Sequence, residues 1–341
     1  MVCITGKYGW VLAISCWLLA VSCSSDHSEE SKGSTLKIVP YAAAYQSNNA
    51  LARRAAVSAG YTEYAPDHDI TIGLYVLPEA SPSVKLFRYS SGEWHSQAKV
   101  VSGNSYRVYG YMPKQDPIAL AVTEHENTVD LVFSGIDALM LDDICFVAGV
   151  KDMTGNLYQG QFGYVAQSEN NWIRLLMDHL FAAVKFNISV DAEYNALRTI
   201  KLKSLTLTTP ALENITLTLA PNVYDVDPVS SIVYAPKEGT ATATFFEDET
   251  GLELDENVSA TVSDCFCYFV SERSDALTLV CTYDVYDKKG NKIRENCTAT
   301  NKLPNLAANR GQFVTINLTV APTYLYQLSE PDLDNPTIQV N

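Results

Sequence analysis

Residues 276–300 read ALTLVCTYDVYDKKGNKIRENCTAT. Two runs rich in Thr, Val, Tyr and Ile flank the pentapeptide Asp287-Lys288-Lys289-Gly290-Asn291. Branched and aromatic side chains suit a pleated, half-buried surface, and Asp, Gly and Asn supply the backbone freedom of a tight reversal. The stretch therefore predicts a β-hairpin. Working outward, the same style recurs almost everywhere beyond residue 68. In the run 69–76, Ile70, Ile72, Leu74 and Val76 fall on one face of an extended chain, a period of two rather than 3.6. SYRVYGYMP (105–113), TVDLVFSG (128–135), DICFVAGV (143–150) and HLFAAVKFNISV (179–190) continue the pattern. In the second half RTIKLKSLTLTT, NITLTLAP, TATATFF, DCFCYFV and QFVTINLTVAP read the same way.

Many short strands separated by turns indicate an all-β protein built of sandwiches. The one segment that reads as helical is Asn171 to Met177, a turn or two. Residues 191–197, DAEYNAL, interrupt the strands near the midpoint and mark a domain junction. The expected divisions are residues 1–22, 23–54, 55–190 and 191–341, the third sandwich-forming together with a first strand at 35–45.

The chain opens MVCITGKYGWVLAISCWLLAVSCSSDHSEESKG. Lys7 precedes an apolar run from about Tyr8 to Val21, shorter than the roughly 20 residues that cross a hydrocarbon core. This is the pattern of an export signal. Leu19-Ala20-Val21-Ser22-Cys23 resembles a bacterial lipobox, which implies cleavage before Cys23 and acylation of that cysteine. Residues 24–35 are polar and Ser-rich, too poor in apolar surface to offset the entropy of ordering, and read as a tether. Asp26, Glu29 and Glu30 so close to Cys23 resemble the signal that sends some lipoproteins to the outer face of an outer membrane.

The 341 residues carry 24 basic and 39 acidic side chains, a formal charge of −15. Loss of residues 1–22, with one Lys and no acidic residue, makes it one unit more negative. Such a surface argues against nucleic acid, whose phosphates need Lys and Arg. Of eight cysteines, Cys145, Cys265, Cys267, Cys281 and Cys297 remain beyond the tether, an odd number that cannot all pair within one chain. Cys265 and Cys267 read as two thiols on one face of a strand, packed as small apolar groups.

No arrangement of catalytic groups stands out, and no cofactor or metal is expected. There is no His-Glu-x-x-His, Gly-x-Ser-x-Gly or Gly-rich phosphate loop. Asp67-His68-Asp69 reads as a polar turn, His179 as a core or edge histidine satisfied by neighbours, and Asp332-Leu333-Asp334-Asn335 lacks the glycine and spacing of a calcium loop. A glycan-binding surface lipoprotein is the alternative. It needs an aromatic platform, for which Trp94 and Trp172 are the tryptophans outside the signal.

One further stretch is LARRAAVSAG (51–60), which holds the chain's only Arg-Arg pair in a run of small residues. Taken together, the layout resembles the fimbrillins, the type V pilin superfamily of lipoprotein-exported pilus subunits. The resemblance rests on the lipobox at Cys23, the first strand Thr35 to Tyr45 and the Arg-Ala step after it. It continues through Tyr109-Gly110-Tyr111-Met112-Pro113, His179-Leu180-Phe181-Ala182-Ala183-Val184 and the closing stretch Gly311 to Val320. It implies two transthyretin-like β-sandwich domains in tandem and a structural subunit, shaft or tip, of a surface fimbria serving adhesion. It also implies a lipidated precursor at the outer membrane, then cleavage by a trypsin-like protease after Arg53 or Arg54. Other pilin subunits are the implied partners. Loss of the first strand would leave a groove for a neighbour's strand, as in donor-strand complementation. Candidate donors in the tail are Tyr324, Leu325 and Tyr326, and Thr337, Ile338 and Val340; the tail can equally complete its own domain.

Overall fold

The computed structural model describes residues 33–47, 60–156, 161–220, 227–270, 277–303, 306, 308–323 and 331–340. Cys23, Arg53, Arg54, Tyr324, Leu325 and Tyr326 lie outside them. The hairpin expected at 287–291 is present. Strand Thr278–Asp287 pairs antiparallel with Lys292–Lys302, and the Asp287 carboxylate accepts the backbone N–H of Lys289 and of Asn291. The side chain thus satisfies donors that the reversal strips from the ladder.

Nearly all of the described chain is β. A nine-stranded sheet runs in the order Tyr61–Glu63, Lys37–Ala43, Trp172–His179, Cys145–Lys151, Ser105–Met112, Ile70–Leu77, Lys85–Ser90 and Glu93–Ser96, with Gly163–Val165 also beside Ser105–Met112. A six-stranded sheet places Ala119–Glu124, Val129–Ser134, Arg198–Leu219, Thr278–Asp287 and Lys292–Lys302 in line, with Val229–Leu254 also paired to Arg198–Leu219. A second six-stranded sheet has Leu139–Met140, Phe266–Phe269, Ala182–Val190, Gln312–Thr323 and Asp332–Val340, and Gln46–Ser47 joins it on Gln312–Thr323. Gly110 shows why one residue type is needed at a strand crossing. A Cβ there would collide with the carbonyl oxygen of Gly73 and with Leu74, so only glycine lets those two strands pair.

Buried side chains form two clusters. One gathers Leu36, Ile38, Leu74, Tyr111, Phe133, Phe146, Ile173 and Phe181 with others of the first half. The other gathers Phe186, Ile188, Leu202, Leu205, Phe269, Leu279, Tyr283 and Leu318 with others of the second. The two are not divided by position in the chain, because Leu212, Ile215, Leu217, Leu219 and Val270 belong to the first cluster. The reason is one long strand. Arg198–Leu219 pairs over residues 198–208 with Thr278–Asp287 and over residues 214–219 with Val129–Ser134. The sequence reads this run as two strands parted at Pro210; it is one, with register shifts on either side of Leu212 absorbing the proline.

Two further readings are corrected. Asn171 to Met177 is not helical: Trp172–His179 is a strand. Five consecutive buried residues, Leu175 to His179, hide the alternation that identifies a strand from sequence. Cys265 lies just before the strand Phe266–Phe269, following a short helix Ala260–Ser263. Its thiol donates to the Thr261 carbonyl, whereas Cys267 is fully buried with its pKa pushed up to about 12 by that burial. Cys265 is thus outside the strand, half-buried against the same core in which Cys267 is buried. The pattern break at 191–197 is a helix, Ala192–Leu197, whose first turn is capped by Asp191 accepting the Tyr194 N–H.

Candidate functional site

The site is the seat of the first strand. Lys37–Ala43 lies inside the nine-stranded sheet, parallel to Trp172–His179 and antiparallel to Tyr61–Glu63. Leu36 and Ile38 point into the first core, at 0% and 1% exposure. Burying each such side chain is worth about 1.5–3 kcal/mol. Ahead of it, Ser34–Thr35 pairs with Lys99–Val100, and the Leu36 N–H donates to the Ala98 carbonyl at 2.9 Å. Two cation–ring contacts join this strand to Trp172–His179: Lys37 over Trp172 at 4.9 Å and Arg174 over Tyr41 at 5.2 Å. Beyond the strand, Gln46–Ser47 pairs with Gln312–Phe313 of the other sheet. One short N-terminal segment thus binds elements of both halves.

The strand's C-terminal end rests on a buried polar network. Tyr45 stacks on His179, ring centroids 3.7 Å apart, and donates its hydroxyl to Asp143 Oδ1 at 2.8 Å. His179 Nε2 lies 2.8 Å from the Ala43 carbonyl, which only accepts, so Nε2 carries hydrogen. His179 Nδ1 lies 2.7 Å from Asp143 Oδ2 and 3.5 Å from Cys145 Sγ. Backbone register explains the meeting: Cys145 and His179 are directly opposite in paired strands, and Asp143 precedes Cys145 by two residues, the spacing that returns a side chain to the same face. Burial, reinforced by the Asp143 and Asp178 carboxylates, holds the Cys145 thiol protonated well above its ordinary range. Burial, then Asp143, does the same to the Tyr45 hydroxyl.

Below this layer Arg310 bonds Asp178 at 2.9 Å and the His179 carbonyl at 3.0 Å, and reaches Asp227 through its other terminal nitrogen. Burial opposes its charge, and the two carboxylates more than compensate. Beside the network opens a cleft of about 770 Å³, bordered by Tyr64, His68, Arg88, Lys114, Asp142 and Asp143.

Chemically, the Cys145–His179–Asp143 grouping is not a nucleophile relay. Such a relay needs thiol and carboxylate on different ring nitrogens; here both face Nδ1 while Nε2 is occupied by the backbone. The two tryptophans considered for a glycan platform lie on different strands of the nine-stranded sheet. Trp94 tilts against Tyr89 at 5.2 Å, and Trp172 is covered by Lys37. Asp67 and His68 pair with each other at 2.6 Å on the surface. His179 is a satisfied buried histidine, as its sequence context suggests. Its partners were not readable, because Asp143 and Ala43 lie 36 and 136 residues away. Thr337 and Ile338 sit in Asp332–Val340, which pairs antiparallel with Gln312–Thr323, Ile338 opposite Val320 and Val340 opposite Leu318.

No helix among the described residues is long and apolar enough to cross a membrane. No family model matches the chain, and no curated protein matches it. Among solved structures, one from Bacteroides fragilis, provisionally described as a cell adhesion protein, is 11% identical with TM-score 0.43, covering 90% of this chain and 96% of its own. A fimbrial protein from Bacteroides vulgatus is 12% identical with TM-score 0.41, covering 89% and 98%. A third, from Bacteroides uniformis and also provisionally described as a cell adhesion protein, is 10% identical with TM-score 0.40, covering 89% and 98%. Two of these three structures are thus provisionally described as cell adhesion proteins and the third as a fimbrial protein.

Proposed function

We propose that this chain is a structural subunit of a cell-surface fimbria serving adhesion, assembled by strand exchange. In this reading Cys23 carries the lipid that holds the precursor at the outer membrane. A trypsin-like protease cuts after Arg53 or Arg54, and residues 23–54 leave as a propeptide. The ranges 55–190 and 191–341 correspond to two transthyretin-like sandwiches that trade strands across the boundary, Ala182–Val190 packing into the second core and the far end of Arg198–Leu219 into the first. A strand of the next subunit takes the vacated place.

The observation that carries the reading is the position of Lys37–Ala43. It is an interior strand of the nine-stranded sheet, inserted from a short N-terminal segment that the arginine pair follows. Removing it would strip the ladder from Trp172–Met177 and open the apolar slots of Leu36 and Ile38, leaving unpaired backbone beside an apolar groove. A strand of similar pattern from another copy would fill both needs.

The test is limited trypsin digestion of the purified precursor, read by N-terminal sequencing and by SDS gels of unboiled samples. Nicking within 51–56 followed by SDS-resistant ladders is expected, and the double variant Arg53→Ala, Arg54→Ala should stay monomeric. Equal polymerisation of that variant, or a nicked parent that never assembles, would overturn the proposal.

A further inference from the structure

Three donor atoms of different types, His179 Nδ1, Asp143 Oδ2 and Cys145 Sγ, all lie within 4.8 Å of one another. Their separations are 2.7, 3.5 and 3.6 Å. A tetrahedral Zn²⁺ with bonds of about 2.0–2.3 Å sets its ligands roughly 3.3–3.6 Å apart. Both edges that involve sulfur already have that length. The carboxylate–imidazole edge is a hydrogen bond and must open by roughly half an ångström for the same geometry. Asp143 is the member able to give way, at 25% side-chain exposure against 5% for His179.

The outer shell is what a metal site needs. A ligating histidine is fixed by a hydrogen bond from its other ring nitrogen, and a ligating carboxylate by a donor to its second oxygen. Here His179 Nε2 donates to the Ala43 carbonyl, which leaves Nδ1 as the ligating nitrogen. The Tyr45 hydroxyl holds Asp143 Oδ1. The charges agree as well. A thiolate, a carboxylate and a neutral imidazole sum to two negative charges, the complement of one divalent cation. The nearby Asp178 is already matched by Arg310 at 2.9 Å. An approach exists, because Asp143, Cys145 and His179 all border the cleft.

We infer that Asp143, Cys145 and His179 form a three-ligand site for a borderline-soft divalent cation of the Zn²⁺ class, with the fourth position open to water from the cleft. Binding displaces two protons to solvent, one from the Cys145 thiol and one shared between Asp143 and His179. The ion, through His179 and Asp143, also braces Ala43 and Tyr45. Occupancy therefore ties the end of the first strand to the body of the uncut protein.

Cobalt is the probe, because its spectrum reports thiolate ligation directly. Titration of the reduced, purified protein with Co²⁺ should produce a near-ultraviolet sulfur-to-cobalt charge-transfer band and visible bands of four-coordinate cobalt, saturating at one equivalent. Added Zn²⁺ should erase them at one equivalent. Cys145→Ser should lose the charge-transfer band, while Cys281→Ser, which alters a buried thiol in the other core, should keep it. Tyr45→Phe removes only the outer-shell donor and should weaken binding by about tenfold, which keeps the test decisive if Cys145→Ser misfolds. Absence of a thiolate band at one equivalent, or a band that survives Cys145→Ser or is indifferent to Tyr45→Phe, would overturn the assignment.

Discussion

Lys37–Ala43, near the start of the described chain, and Asp332–Val340, at its end, differ in nearly every respect that decides how a strand is held. The first lies between two neighbours and runs parallel to the longer one. The last is an edge strand with one antiparallel partner. Leu36, Ile38 and Pro40 are buried at the first, against Pro336 and Ile338 at the last, where Val340 is 39% exposed. The first ends on a buried network, whereas the last is held by separate contacts, Tyr194 to the Leu333 carbonyl, Tyr283 to the Pro336 carbonyl, and Arg198 and Arg294 to Asp334. The segment expected to leave is the more deeply embedded, and the segment expected to be donated is the more accessible. Under the proposed exchange, cutting the chain would lower a kinetic barrier without by itself emptying the groove, and the contacts of a replacement strand would have to drive the step.

The comparison can be broken first at Arg310, which neutralises Asp178 directly beneath the seat. Arg310→Ala removes the cation paired with the buried Asp178 carboxylate and should cost about 3–5 kcal/mol in a denaturant titration. A cost under 1 kcal/mol would mean that the network does not support the first strand. The next test compares the two strands directly. Ile38→Ala should cost about 3 kcal/mol, because it empties a slot that is closed to solvent. Val340→Ala should stay within about 0.5 kcal/mol. Similar values for the two would erase the distinction.

The smallest effect concerns pH and touches both halves alike. A hydrogen bond from Arg107 holds the Glu124 carboxyl below its ordinary range in the first half. In the second, burial raises the Asp284 carboxyl, but the Asn296 N–H and Lys292 outweigh it and leave it lowered. A lowered folded pKa contributes stability that is present above the unfolded value, about 4 for a carboxyl, and is lost as pH falls through the folded one. Acid below pH 4 should therefore loosen both halves together, followed by near-ultraviolet circular dichroism and hydrogen exchange. Selective release of the first strand under those conditions would contradict this account.

Much of the local structure was legible. Period-two runs gave the strands, Asp287 to Asn291 gave its hairpin, and the run at 35–45 gave a first strand, interrupted at Leu36. Reading failed where burial hid the period, at Trp172–His179, and where tertiary support carried a strand across Pro210. The network beneath the first strand was invisible for another reason. Asp143, Cys145 and His179 are unremarkable until two strands are paired in one register, and a one-residue slip would send Cys145 and His179 to opposite faces.

The amino-acid sequence by itself determined the class of this protein: strands, an acidic surface, an N-terminal run too short to span a membrane and an arginine pair among small residues. Those properties depend on the residue and its near neighbours. Only the tertiary structure decided that Lys37–Ala43 pairs with a strand some 135 residues away, that Arg198–Leu219 serves both cores, and that His179 meets Asp143 and Cys145. An alternating strand is compatible with many partners, and the choice among them is made when side chains from distant segments close one core together.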